Sequence, residues 1–212
     1  MQFDGWLTEG AIVVASIAIL GVYHWRLWRA NRLTPKATAM GRHRMVRAAW
    51  ARTVQATSHD ILAVQTLRNW IVSATFLAST AVLLALGLLG VTFATDKLSQ
   101  LAHGLNYLGS QDTQLLLFKA LLLVTDFFAA FFSFSLAIRA FIHTGFAINL
   151  TGEQEAAIEP GLGAAELERG ALHYTLGMRG YYFAIPLALW LFGPTWMLVG
   201  AVLLVLILRR VD

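Results

Sequence analysis

Residues Ile61–Val91, ILAVQTLRNWIVSATFLASTAVLLALGLLGV, are long enough and apolar enough to cross a bilayer as one helix. An α-helix turns about 100° per residue. On that wheel Gln65, Asn69, Ser73 and Thr80 fall within one quadrant, with Arg68 and Asn69 at the mouth. The pattern predicts a transmembrane helix whose polar seam faces protein, not lipid. The small polar face of the third long segment, Lys119 to Ala140, is the expected partner of that seam.

Composition agrees with this starting point. The chain has 212 residues, of which 58% are hydrophobic and only 13% charged, with a mean hydropathy of +0.63. Soluble domains carry about 25% charged residues. The fold class expected is an all-α, polytopic transmembrane bundle of about four crossings, forming a single membrane domain over residues 1–212. With no cysteine, disulfides, thiolate metal sites and cysteine nucleophiles are excluded. Asp4 and Glu9 stand where a cleavable signal would be basic, so the first helix should remain as an anchor.

Charge placement sets the expected orientation. Eight Lys/Arg and no acid lie from Arg26 to Arg52. Such a run can bind nucleic acid, but beside a membrane helix it reads as the positive-inside signal. The basic loop 29–58 is therefore expected in the cytoplasm and the N-terminus outside, in the plasma (bacterial inner) membrane. The crossings fall at about 6–28, 68–91, 113–140 and 181–208. Residues 38–57 have helical character, with Val46, Trp50 and Val54 on one face. Ser58 and Asp60 suit the start of the next helix. An amphipathic helix is expected outside at 95–108, and an acidic cytoplasmic loop at 150–178. The two loops carry opposite charges and are expected to pack together.

The last segment allows two forms. Gly193-Pro194 interrupts it, giving either one kinked crossing or a hairpin that returns Arg209 and Arg210 to the basic side. The kinked crossing is preferred, because half-segments of about 13 residues fall short of the roughly 20 needed to span.

Charged residues at bilayer depth are functional suspects. Lys119 and Asp126 lie seven residues apart on one face of the third segment, about 10 Å apart along the axis. Each should pair with another helix or line a wet path, and Ser133 continues their face. Phe127, Phe128, Phe131, Phe132 and Phe134 are expected to face lipid or a neighbouring subunit. Arg68 and Arg139 are candidates for a cytoplasmic vestibule or lipid-headgroup contact. His24, His59, His143 and His173 fall near helix ends, where two could ligate haem or a metal. None has the spacing of a metal motif, so no metal or cofactor is expected. No P-loop, dinucleotide fingerprint or hydrolase elbow is present, and the sequence does not point to an enzyme.

Several blocks resemble one family. They are YHWRL at Tyr23–Leu27, Pro35 with Thr38 and Gly41, AVQTLRN at Ala63–Asn69, LAST at Leu77–Thr80, and YYFAIPLALWLFGP at Tyr181–Pro194. Together they are similar to the domain-of-unknown-function family numbered 599, small bacterial and plant membrane proteins. The resemblance covers most of the chain. It implies an integral membrane protein of about four crossings and carries over no catalytic or binding residue. The residues themselves favour a small homo-oligomeric ion channel or transporter. The alternatives are a membrane scaffold or accessory subunit with a cytoplasmic docking surface, and a haem-binding electron-transfer subunit. The expected partners are the bilayer, further copies of the chain, and anionic lipid at the basic loop; nucleic acid is not expected.

Overall fold

A computed structural model describes residues 2–57, 60–93 and 112–211. The expected helix at 95–108, and Ser58 as a cap, lie outside the described residues. The described residues form seven α-helices: α1 (Gln2–Leu33), α2 (Ala39–Thr57), α3 (Asp60–Phe93), α4 (Thr113–Ala147), α5 (Gly152–Ile158), α6 (Leu162–Trp190) and α7 (Pro194–Val211). Four stretches are long and apolar enough to cross a membrane: Trp6–Leu33, Ile61–Thr92, Thr113–Ala147 and Pro194–Val211. The long helices form a curved row in the order α3, α4, α6, α7, α1. The end of the helix axes at which α2 packs is called the basic end below.

The α4–α6 pair is the spine of this row. Gly163, Gly170 and Gly177 of α6, spaced by seven, face the Ile148 backbone just past the end of α4 and the Phe141 and Phe134 rings of α4, positions also spaced by seven. A Cβ at Gly170 would lie 2.5 Å from the Phe141 ring, and one at Gly177 would lie 2.7 Å from the Phe134 ring. Ala184 and Phe127 meet in the next step, in the cluster around Leu116, Ala120 and Leu123. Small residues on one helix thus receive large ones from an antiparallel partner. A seven-residue repeat is the period of a left-handed helix pair. This corrects the expectation for Phe134, which is fully buried. Phe127 and Phe134 face Tyr181, whereas Phe132 is exposed.

Helix α3 attaches to α4 through a different face from the one expected. Ala63, Leu67, Ala74, Ala78, Ala81 and Ala85 are buried, whereas Gln65, Asn69, Ser73 and Thr80 are exposed. The alanine line lets two helices approach closely in a setting where lipid supplies no hydrophobic drive. Tyr181 of α6 reaches across to donate to the Leu77 carbonyl oxygen at 2.5 Å.

The segment expected as one kinked crossing at 181–208 is a helical hairpin. In a single rod Pro186 and Gly200 would stand about 21 Å apart. Instead a Cβ at Gly200 would lie 3.2 Å from Pro186 Cα and 2.6 Å from Leu189 Cδ1. The turn uses Gly193 at φ 132, a conformation open chiefly to glycine. Pro194 opens α7, where its missing N–H costs nothing. The half-segments are longer than about 13 residues. Helix α6 reaches back to Leu162 and α7 has 18 residues. The hairpin sets Leu204, Val205 and Leu208 against Tyr23 of α1 and returns Arg209 to a groove beside Arg26.

At 34 and 35 residues, α3 and α4 are about 50 Å long, against a hydrocarbon core of about 30 Å. The basic end of these helices has its own core, in which Ala51 and Val54 of α2 meet Ala63, Leu67, Phe141 and Leu167. Helix α2 was expected at 38–57 and is present, but Val46 is exposed. Thr38 caps it by accepting from Gly41 N at 3.1 Å, and a Cβ at Gly41 would sit 2.1 Å from the Pro35 carbonyl oxygen. The region 150–178 is not a loop. It is α5, opened by a Thr151–Gln154 capping box, and the first half of α6. Glu155 accepts from Gly163 N at 2.8 Å. The acid that meets the basic helix is Glu168, which takes two bonds from Arg47 at 2.9 and 3.1 Å, with Arg44 at 3.8 Å.

Candidate functional site

The charges that the sequence singled out at bilayer depth separate into two settings. Lys119 stands two turns into α4 and has a partner on another helix. Its ammonium is ion-paired with Glu9 of α1, and the two side chains are only 3% and 4% exposed. The same carboxylate oxygen, Glu9 Oε1, accepts from Trp190 Nε1 at 2.9 Å. The ammonium also lies over the Trp190 ring, 5.1 Å from its centroid. Trp190 is the last residue of α6, just before the hairpin turn. Three helices are therefore tied together at the end opposite α2. A buried ion pair must recover the cost of desolvating both charges; here the indole N–H supplies a further donor and the ring face a further site for the cation.

Asp126, two turns further along α4, does not join this cluster. Its Oδ2 is buried with no hydrogen-bond partner. It lines a cleft of about 540 Å³ between α1, α4, α6 and α7, with Val13, Ile17, Leu122, Phe183 and Leu187 among the other walls. Trp190 belongs to the same lining, so the Glu9–Lys119–Trp190 cluster adjoins the cleft through that side chain. A carboxylate in an apolar wall with no donor of its own gains strongly from any cation that reaches it. The cleft can thus offer a cation, a proton or an ammonium group one acceptor in an apolar surround.

The other sequence-derived candidates fall elsewhere. Ser133 donates to Ala129 O at 2.8 Å within its own helix. Thr80 does the same with Phe76 O at 2.8 Å and is also hydrogen-bonded to Tyr181. Gln65, Asn69 and Ser73 lie on the outer surface of the protomer. Gly193 and Pro194 form the hairpin turn, not a break within a crossing. Arg68 and Arg139 do not share a vestibule. Arg68 is on exposed α3 surface, whereas Arg139 lines a groove with His143, Arg169 and His173.

His24 is committed to packing. Its Nδ1 lies 2.8 Å from the Leu20 carbonyl oxygen, which can only accept, so Nδ1 carries the proton. Nε2 then accepts from Arg179 at 3.3 Å. His59 lies outside the described residues. Among the described residues, no three His, Asp or Glu side chains are grouped to hold a metal ion.

Sequence reasoning missed Glu9 and Trp190. The signal was present, because Glu9 and Lys119 are isolated opposite charges near the same end of two apolar stretches. Either one alone suggests anchoring, and only the pair suggests a clamp.

Neither characterised proteins nor solved structures gave a match to this chain. A family model does match, over residues 11–212, and it includes the polar-flanked α3, the α4–α6 spine and the hairpin. On that match the chain belongs to the family described as "Protein of unknown function, DUF599".

Proposed function

We propose that the protein is a small homo-oligomeric ion channel or transporter of the bacterial plasma membrane, in which Asp126 meets the transported cation. One observation carries this reading. Asp126 Oδ2 is buried without a hydrogen-bond partner in a cleft whose other walls are nearly all apolar. A merely structural carboxyl at that depth would be expected to have a donor, as Glu9 does. The orientation proposed has the N-terminus outside and α2, α5 and the C-terminal arginines in the cytoplasm. It is supported by the hairpin, which gathers Arg209 with Arg26 at the basic end.

Flux in proteoliposomes tests the proposal. Wild-type protein is expected to pass protons or a monovalent cation, and Asp126→Asn to lose most of that flux while remaining folded. Equal flux from both proteins, or none from wild type with any cation, would sink the reading.

Oligomerisation is proposed through α3. Asn69 and Ser73 are exposed one turn apart on α3, where the helix passes into its apolar stretch, and a polar side chain facing hydrocarbon loses the hydrogen bonds it makes in water. A second copy laid along α3 would supply them. With no native cysteine, Ser73→Cys provides a clean probe. It is expected to form a disulfide-linked dimer in membranes, while Val14→Cys on the exposed face of α1 stays monomeric. Monomer in both cases would remove the α3 interface.

The second reading, a scaffold or accessory subunit, draws support from the basic end, where α2 presents arginines such as Arg44, 71% exposed. Reproducible co-purification of one protein partner, lost on removing those arginines, together with an absence of flux, would favour it.

A further inference from the structure

The groove at the basic end between α4 and α6 joins features that neither the cleft nor the clamp explains. Arg139 and His143 stand one turn apart on α4, and Arg169 and His173 stand one turn apart on α6. The antiparallel pairing of these helices brings all four side chains to one groove of about 510 Å³. Arg169 is held by an ion pair to Glu166, which also lines the groove. Among the described residues no carboxylate neutralises Arg139. The remaining wall is apolar and includes Leu136 and the outward-facing Phe146.

We propose that this groove binds a phosphate group, through the Arg139 and Arg169 guanidiniums with the two imidazoles as additional donors. Guanidinium forks match phosphate oxygens in geometry and charge. Depth supports the same ligand. About 30 Å of helix axis separates Lys119 from Arg139, which is the thickness of a hydrocarbon core. With the Lys119 clamp taken as the opposite headgroup level, Arg139 stands at the level of phospholipid headgroups, with Leu136 below it toward the acyl chains. The phosphate can belong to an acidic phospholipid or to a soluble phosphate ester. The site differs from diffuse attraction to basic α2, because its cations come from two facing helices around one concavity. It is independent of the proposed transport role.

The test uses full-length protein in mild detergent, with native mass spectrometry counting retained lipid. The probes are phosphatidylglycerol, phosphatidylcholine and inorganic phosphate. Wild type is expected to retain phosphatidylglycerol at least tenfold better than phosphatidylcholine. Arg139→Gln and Arg169→Gln should each lower that retention at least fivefold, Arg139→Lys should lower it partway, and Arg52→Gln on α2 should leave it unchanged. Displacement by millimolar inorganic phosphate, itself weakened by Arg139→Gln, would assign the site to a soluble ester. No preference between the two lipids together with no phosphate binding overturns the proposal. So does an Arg52→Gln loss as large as that of Arg139→Gln. Arg139 and Arg169 are exposed, so their variants should fold, and an unchanged unfolding temperature confirms that a loss of binding is local.

Discussion

Lys119→Met will destabilise the protein by about 3–5 kcal/mol, the cost of leaving a buried charge without its counter-charge. Glu9 would keep the Trp190 indole N–H at 2.9 Å but lose the ammonium, in a position where its side chain is 4% exposed. Water cannot replace the lysine there without opening the contact between α1 and α4. Glu9→Gln should cost less, because a neutral amide can still accept from the indole, and Lys119 keeps the ring face of Trp190. The double variant Glu9→Gln/Lys119→Met removes both charges together and should recover much of the loss, since a neutral pair has no ionic desolvation cost. Unfolding temperature in detergent, read by size-exclusion chromatography, measures all three. A double variant as unstable as the sum of the singles would show that the two residues do not act as a pair.

The second large effect is expected along the α4–α6 ladder. Gly177→Ala places a methyl group 2.7–2.8 Å from three carbons of the Phe134 ring. That ring cannot retreat easily, because it is fully buried between Tyr174 and Tyr181, each 5.6 Å away by ring centroids. Gly170→Ala meets Phe141 at 2.5 and 2.6 Å in the same way. Overpacking of this kind costs about 1–3 kcal/mol per site, and both variants together should approach the sum, because each pushes the same two helices apart. Phe134→Leu in the Gly177→Ala background should restore part of the loss by vacating the space. Gly21→Ala in α1, where a Cβ has no neighbour within 4 Å, should be neutral or mildly stabilising by helix propensity. Equal unfolding temperatures for Gly21→Ala and Gly177→Ala would remove the ladder as the source of α4–α6 adhesion.

These two predictions rest on different kinds of legibility. The ladder is written in the chain as Gly163, Gly170 and Gly177 against Phe134, Phe141 and Ile148, each set at intervals of seven. Reading it required knowing that α6 extends back to Leu162. The glutamates at 153–168 and the Pro160-Gly161 pair disguised that half of α6 as a loop. The clamp is harder to read, because residues 9, 119 and 190 are remote in sequence and nothing local marks them as neighbours.

The seam of α3 shows the same limit from the other side. Periodicity placed Gln65, Asn69, Ser73 and Thr80 on one face, and that grouping is a matter of helical geometry alone. Which face meets α4 depends on how closely two backbones can approach, and alanines approach more closely than amides. The seam therefore points outward and the alanines point inward.

The amino-acid sequence by itself determined the all-helical class, the apolar stretches of spanning length, the helix over residues 39–57 and the break at Gly193-Pro194. These follow from hydropathy, period and the chemistry of proline, all of which act within a few turns of chain. Only the tertiary structure decided that the break is a hairpin, that Lys119 belongs to Glu9 and Trp190, that Asp126 is left to face an apolar cleft, and that Arg139 shares a groove with Arg169. Each of these is a choice among partners far apart in the chain. Burial and close packing make that choice, and they exist only once the helices have met.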